Sequence, residues 1–143
     1  MGNTPERILD LASGNGVIAK ELSKTWPSAD YHLVDDSELA VASAKLNFSG
    51  ENVHHLLDNQ LNELEDNYFD FIVSNPPFHF EHDININVPI ALFKQAYQKL
   101  KAGGEFQLVA NTHLNYATHL VKLFKKVEEV AKNDKYVIYN CVK

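Results

Sequence analysis

Asp10-Leu11-Ala12-Ser13-Gly14-Asn15-Gly16 closes an apolar run that starts at Arg7 and leads straight into a helical stretch over residues 17–26. A small, glycine-bearing turn between strand and helix lets backbone approach a ligand closely, with a helix N-terminus at hand. Strand, tight turn and helix in that order set the class as α/β. The dinucleotide fingerprint G-x-G-x-x-G is not met, because Ala12, Gly14 and Gly16 are spaced by two. That spacing counts against a pyrophosphate-binding loop, and no P-loop is present. Taken alone, the turn fits a plain helix opening as well as a ligand site.

The rest of the chain repeats the alternation. Residues 7–12 read as the first strand, and Pro27 stops the helix that follows. Asp30–Asp35 is a second strand, and Ser37 is a plausible N-cap for a helix through Asn47. Leu39, Ala40, Ala44 and Leu46 are among that helix's expected buried positions. Val53–Leu57 and Phe69–Ser74 are the third and fourth strands. A helix over residues 88–100 is ended by Gly103-Gly104, and residues 105–110 form the fifth strand. Residues 118–126 read as helical. Residues 127–131 and Tyr136–Val142 are strands joined by Lys132-Asn133-Asp134-Lys135, too short a link for a parallel return. The expectation is a mostly parallel sheet with an antiparallel last strand.

At 143 residues the chain is expected to be one domain with a real core. Its 45% hydrophobic and 22% charged residues are ordinary for a globular protein. No apolar run reaches membrane-spanning length, and the N-terminus lacks the shape of a signal peptide. The single Cys141 excludes an internal disulfide and points to a reducing compartment, the cytoplasm by default. Residues 1–93 carry 4 basic and 15 acidic side chains, against 9 and 4 in residues 94–143. An acidic chain is a poor nonspecific binder of nucleic acid. Lys122, Lys125, Lys126, Lys132 and Lys135 read as a solvated helix face before they read as a binding patch.

Ligands of open α/β sheets bind beyond the C-terminal ends of the strands. The second strand ends at Asp35-Asp36, where an acid can accept both hydroxyls of a ribose. The third ends at Asp58-Asn59, which can read an adenine's amino group and ring edge. The fourth ends at Asn75-Pro76-Pro77-Phe78. Prolines keep that loop rigid without a ladder partner, the Asn oxygen and a nearby carbonyl can accept hydrogens of a planar nitrogen, and the ring can stack on it. The chemistry this suggests is methyl transfer to an sp² amine; an ordinary strand exit is the blander alternative. The seven histidines suggest no metal site: His54 and His55 point to opposite faces of a strand, and His113 and His119 lack a third ligand. Phe80, Tyr97 and Phe124 are expected to pack in the core or at its rim.

With residues 10–16, Asp35, Asn59 and Asn75-Pro76-Pro77-Phe78 in this order, the chain resembles the class I S-adenosylmethionine-dependent methyltransferases of exocyclic and amide nitrogens. His79, Ala91-Leu92-Phe93, residues 100–105 and Val109-Ala110-Asn111-Thr112-His113-Leu114-Asn115-Tyr116 bring it closer to the catalytic domain of the ribosomal RNA guanine-N2 methyltransferases. Val34-Asp35-Asp36-Ser37 and the following Ala40-Val41-Ala42-Ser43-Ala44 look more like the large-subunit type.

The resemblance implies a Rossmann-like three-layer sandwich with a seven-stranded sheet, and S-adenosyl-L-methionine as cofactor. It implies that Asp10, Ala12, Gly14, Asn15 and Gly16 line the cofactor on one side. Asp35, Asp36, Asp58, Asn59 and Asn75 would do so on the other. Catalysis falls to Asn75, Pro76, Pro77 and Phe78, with Phe78 and His79 on the base. The partner is ribosomal RNA or a ribosomal subunit. The family usually has glycine at the place of Ala12, and the arginine of its Asn-Arg-His-Leu-Pro-Tyr-like segment is Thr112 here. Full-length members carry a second, N-terminal domain that engages RNA, so this chain is expected to be an excised or partial catalytic domain, its Met1-Gly2 a scar. Rival readings are an adenine-N6 or protein-glutamine methyltransferase, which His79 and residues 103–116 disfavour, and a non-catalytic module, which would have lost the acid or the Asn-Pro-Pro-Phe stretch.

Overall fold

A computed structural model describes residues 4–76, 87–112 and 114–143, with the backbone alone at residues 58–60. The elements are β1 (Arg7–Leu11), α1 (Val17–Thr25), β2 (Asp30–Asp35), α2 (Glu38–Asn47), β3 (Val53–Leu57), a 3-10 turn (Asp58–Glu63) and β4 (Phe69–Ser74). α3 (Asn87–Lys99), β5 (Leu100–Asn111), α4 (Ala117–Leu120), β6 (Lys126–Lys132) and β7 (Tyr136–Val142) follow. The strands form a 7-stranded sheet in the order β3-β2-β1-β4-β5-β7-β6. β1 to β5 run parallel, and β7 is antiparallel to both of its neighbours. The α/β class and the antiparallel last strand are as expected.

Successive strand residues face opposite sides, so each strand feeds two cores. Leu9, Leu11, Ile72, Phe106 and Leu108 pack with Phe93 of α3 and Leu120 of α4. Ile8, Leu33 and Val73 pack with Ala19 of α1 and Ala44 of α2. Helices on both faces explain why the inner strands are almost continuously apolar. Each large side chain withdrawn from water contributes ~1.5–3 kcal/mol. Ser37 caps α2 as expected, its Oγ accepting from the Ala40 N–H at 3.2 Å.

Three expectations are corrected. Of the α2 positions expected to be buried, Ala44 is fully buried, but Leu39 and Leu46 are 81% and 90% exposed. The face that meets the sheet follows Ala44, against Leu33 and Gly16, and Phe48 continues it beyond the helix. Gly103-Gly104 does not stop α3, which ends at Lys99. The pair sits inside β5, close to a register shift against β4 between Phe69 and Phe71. Gly103 has φ 83°, and a Cβ on Gly104 would lie 2.8 Å from the Leu100 side chain, so the strand bends there only with glycine. The helix expected over residues 118–126 is only Ala117–Leu120. Its continuation yields to the sheet: the Lys125 N–H donates to the Val142 carbonyl at 2.9 Å, and Phe124 stacks on Phe106 with ring centres 5.7 Å apart.

Candidate active site

β1, β2 and β4 end on the same edge, and the loops leaving them surround a cleft of about 450 Å³. Leu11 and Ala12 line it after β1, Asp35 and Asp36 after β2, and Pro76 after β4. The fourth wall is α3, through Asn87, Val88, Ala91, Leu92 and Gln95. From the sequence, Ala91 and Leu92 enter only through a resemblance, and Gln95 does not stand out. The signal was the helical period of α3: Pro89, Phe93 and Ala96 face the core, which turns Leu92 and Gln95 toward the cleft side.

The turn after β1 is held by β2. The Ser13 N–H donates to the Val34 carbonyl at 2.9 Å, and the Gly14 N–H to Asp35 Oδ2 at 2.8 Å. The Gly16 N–H donates to the Ser13 carbonyl, and the Val17 N–H to Asn15 Oδ1. Asn47 at the end of α2 donates to the Asn15 carbonyl at 3.0 Å. Ala12, Gly14 and Gly16 all have positive φ, at 60°, 56° and 83°. A Cβ on Gly16 would lie 3.3 Å from both Ala44 and Leu33 side chains, so α1 and α2 approach only through glycine here. With these N–H groups engaged inside the protein, the turn is no phosphate cradle, in agreement with its spacing.

Asp35 is half-buried, and its Oδ1 accepts from the Ser37 N–H at 3.0 Å. Each carboxylate oxygen keeps further lone-pair capacity for a hydroxyl donor. Asp10 is 1% exposed, and neither of its oxygens meets a hydrogen-bond partner among the described residues. Burial, and after it the charge of Asp35, pushes its carboxyl up to about 8. The strand period explains the pairing: Asp10 follows Ile8 and Asp35 follows Leu33 on the same face of the sheet. Asp36 is exposed at the cleft wall.

Ser74 ends β4, and its Oγ donates to the Leu11 carbonyl at 2.6 Å, locking the two strand ends together. Asn75 follows, exposed, and Pro76 is half-buried against the cleft. Pro77, Phe78, His79, Phe80 and His113 lie outside the described residues, as do the side chains of Asp58 and Asn59, whose backbone opens the 3-10 turn after β3. His54 and His55 do face opposite ways: His54 stacks on His32, while His55 Nε2 lies 2.8 Å from the Phe48 carbonyl. Phe124 is buried and edge-on to Tyr97, as core packing requires. Cys141 is buried too, which pushes its thiol up to about 12. Among the described residues no three of His, Cys, Asp and Glu gather as a metal-holding group, and no helix is long and apolar enough to cross a membrane.

The Methyltransferase small domain family matches residues 1–140. The ribosomal RNA large subunit methyltransferase G of Shewanella sp. (strain ANA-3) is 39% identical over 142 residues, which are 95% of this chain and 38% of that protein. Its namesake in Shewanella loihica is 34% identical over 158 residues, covering 100% of this chain and 39% of the relative. The chain thus spans under two fifths of the length of these curated relatives. Among solved structures, the T. thermophilus 16S rRNA N2 G1207 methyltransferase in complex with AdoMet and guanosine superposes with a TM-score of 0.80 at 27% identity. That superposition covers 96% of this chain and 37% of the other. The strand order and the antiparallel β7 are therefore those of a class I S-adenosylmethionine-dependent methyltransferase fold. On the match across nearly its whole length and relatives at 39% identity, the chain belongs to the Methyltransferase small domain family.

Proposed function

We propose that this chain transfers a methyl group from S-adenosylmethionine to the exocyclic N2 of a guanine in ribosomal RNA, acting as the catalytic part of a longer cytoplasmic protein. The observation that carries the reading is Asp35 at the cleft wall, its carboxylate fixed by the Gly14 and Ser37 N–H groups yet able to accept more, with Asp36 beside it. Such a site favours a cationic ligand carrying hydroxyls, and a cleft of about 450 Å³ falls within the ~300–1,000 Å³ usual for small-molecule sites. The relatives named as large-subunit rRNA methyltransferases, and the solved neighbour holding AdoMet and guanosine, support the same cofactor and substrate class, with the large subunit favoured.

When bound, the cofactor supplies an electrophilic methyl on a sulfonium. The protein's own task is then positioning and exclusion of water. Asp35 accepts the ribose hydroxyls, with Asp36, Asp58 and Asn59 around the nucleoside, and the turn from Ala12 through Asn15 to Gly16 passes close beside the cofactor. The Asn75 side-chain oxygen and the Pro76 carbonyl accept the hydrogens of guanine N2. This holds the lone pair out of conjugation with the ring and aims it at the methyl. Pro77 stiffens the loop, Phe78 stacks on a base flipped out or already unpaired, and His79 orients it; such stacking contributes ~1–3 kcal/mol.

The test is Asn75→Ala, with methyl transfer to guanine in ribosomal RNA and cofactor affinity measured on the same preparation. Transfer should fall ~10²–10³-fold, the size of loss seen when one polar group poised for a transition state is removed, while cofactor affinity changes little. Unchanged transfer would overturn the reading. Asp35→Ala should instead weaken S-adenosylmethionine binding in calorimetry, and equal affinity would refute the ribose assignment.

A further inference from the structure

β5 outruns β4 at the edge where the cleft lies. Ser74, the last residue of β4, pairs with Leu108, yet β5 continues to Asn111, ~10 Å further. β7 starts at Tyr136 opposite Asn111, and β6 ends at Lys132 opposite Val137. The β6–β7 turn therefore stands beyond the level of Asn75 and two to three strand spacings, ~10–14 Å, to its side.

This turn is braced. The Thr112 N–H donates to the Lys135 carbonyl at 2.7 Å, and Thr112 Oγ1 donates to the Asn133 carbonyl at 3.0 Å. Asn133 Oδ1 accepts from the N–H groups of Lys135 and Tyr136 at 2.8 and 2.7 Å. Lys132 and Lys135 are exposed and have no ion-pair partner among the described residues, whereas Lys101 pairs with Asp70 and Lys126 with Glu128. Tyr136 is 50% exposed beside them. These two lysines stand at a strand hairpin on the rim, so the solvated helix face first read for them does not apply. Across the cleft, Asp35 and Asp36 make the β2 side acidic. A polyanion reaching Asn75 is thus repelled on one flank and met by cations on the other.

We infer that the β6–β7 turn is a shelf for the RNA strand flanking the target base, Lys132 and Lys135 meeting its phosphates and Tyr136 stacking a neighbouring base. The inference rests on RNA being the substrate class of the site. Cations beside an exposed aromatic are what single-stranded RNA requires of a groove, and an acidic domain must concentrate them locally.

The probe is a short single-stranded RNA carrying one guanine, titrated against the chain by fluorescence anisotropy at several salt concentrations with S-adenosylmethionine present. Lys132→Gln/Lys135→Gln should weaken binding about tenfold and flatten the log–log salt slope by ~1.4, the share of two phosphates. Tyr136→Ala should weaken binding about tenfold with the slope unchanged. Lys125→Gln/Lys126→Gln, at the opposite end of the sheet, should change neither, and cofactor affinity should hold in every variant. If the parent chain binds and methylates RNA but Lys132→Gln/Lys135→Gln retains affinity and slope, the shelf is refuted and the activity stands. An equal loss in the Lys125/Lys126 variant also refutes the shelf. A parent chain that binds S-adenosylmethionine yet neither binds nor methylates RNA overturns both.

Discussion

Asp10 and Asp70 lie on neighbouring strands at opposite ends of the sheet, and their surroundings differ in every respect. Asp70, at the start of β4, accepts from the N–H groups of Glu6 and Arg7 at 2.7 and 2.8 Å and pairs with Lys101. Burial alone would raise its carboxyl, but Lys101 and the two N–H groups outweigh that and hold it below the usual carboxylate range. Asp10, at the end of β1, has no such partner among the described residues and is pushed up to about 8. One carboxylate ties the entering chain to β4 and β5. The other is buried beside Asp35 where the strands stop. The difference separates an end of the sheet built for stability from an end built for a ligand.

The pH dependence of stability should break or confirm this contrast most strongly. Asp10 has a raised folded-state pKa, so its contribution is fully present below about 4 and lost as pH rises through about 8. Urea unfolding of the ligand-free chain should show stability falling across that window by on the order of a few kcal/mol. Asp10→Asn should flatten the fall; matching profiles for parent and variant would remove the contrast. The sign for Asp70 is opposite. Its folded-state pKa is lowered, so its contribution is present above about 4 and lost as pH drops further. Asp70→Ala strands two N–H groups and Lys101, and should cost about 2 kcal/mol at neutral pH, fading in acid, with cofactor affinity untouched. A variant as stable as the parent would show that this end is not the brace it is taken for. The smallest effect belongs to Ala12→Gly. Relief of a left-handed alanine at φ 60° gains ~1–2 kcal/mol, and glycine's extra freedom takes back ~0.5–1, leaving a stabilisation of ~0.5–1 kcal/mol in thermal unfolding.

What the sequence made legible follows local rules. Strand period, proline and glycine punctuation and the Ser37 cap lead to the sheet and to the edge where Asp10, Asp35, Asn75 and Pro76 gather. What it hid depends on contacts between distant segments. Leu39 and Leu46 look buriable until Ala44 is seen to take the seat against Leu33. Gly103-Gly104 looks like a helix stop, because nothing nearby tells that Leu100 already pairs with Phe69. Nor does composition tell that Lys132 and Lys135 share a rim with Asn75 while Lys125 is tied to the other end at Val142; antiparallel register decides that.

The place of β7 between β5 and β6 has a consequence for the order of events as the chain is made. Among the described strands β6 pairs with β7 alone, so for as long as β7 is still being synthesised it lacks that partner. It waits as an open strand, the state in which foreign chains add to an edge. Lys126, Glu128, Glu129 and Lys132 are interspersed with valine and alanine along it, and such charges discourage premature partners. Once β7 emerges, a hairpin closes in ~1–10 μs and can dock on β5 as a unit. The charges of β6 are thus a safeguard for the nascent chain before they are part of any finished surface.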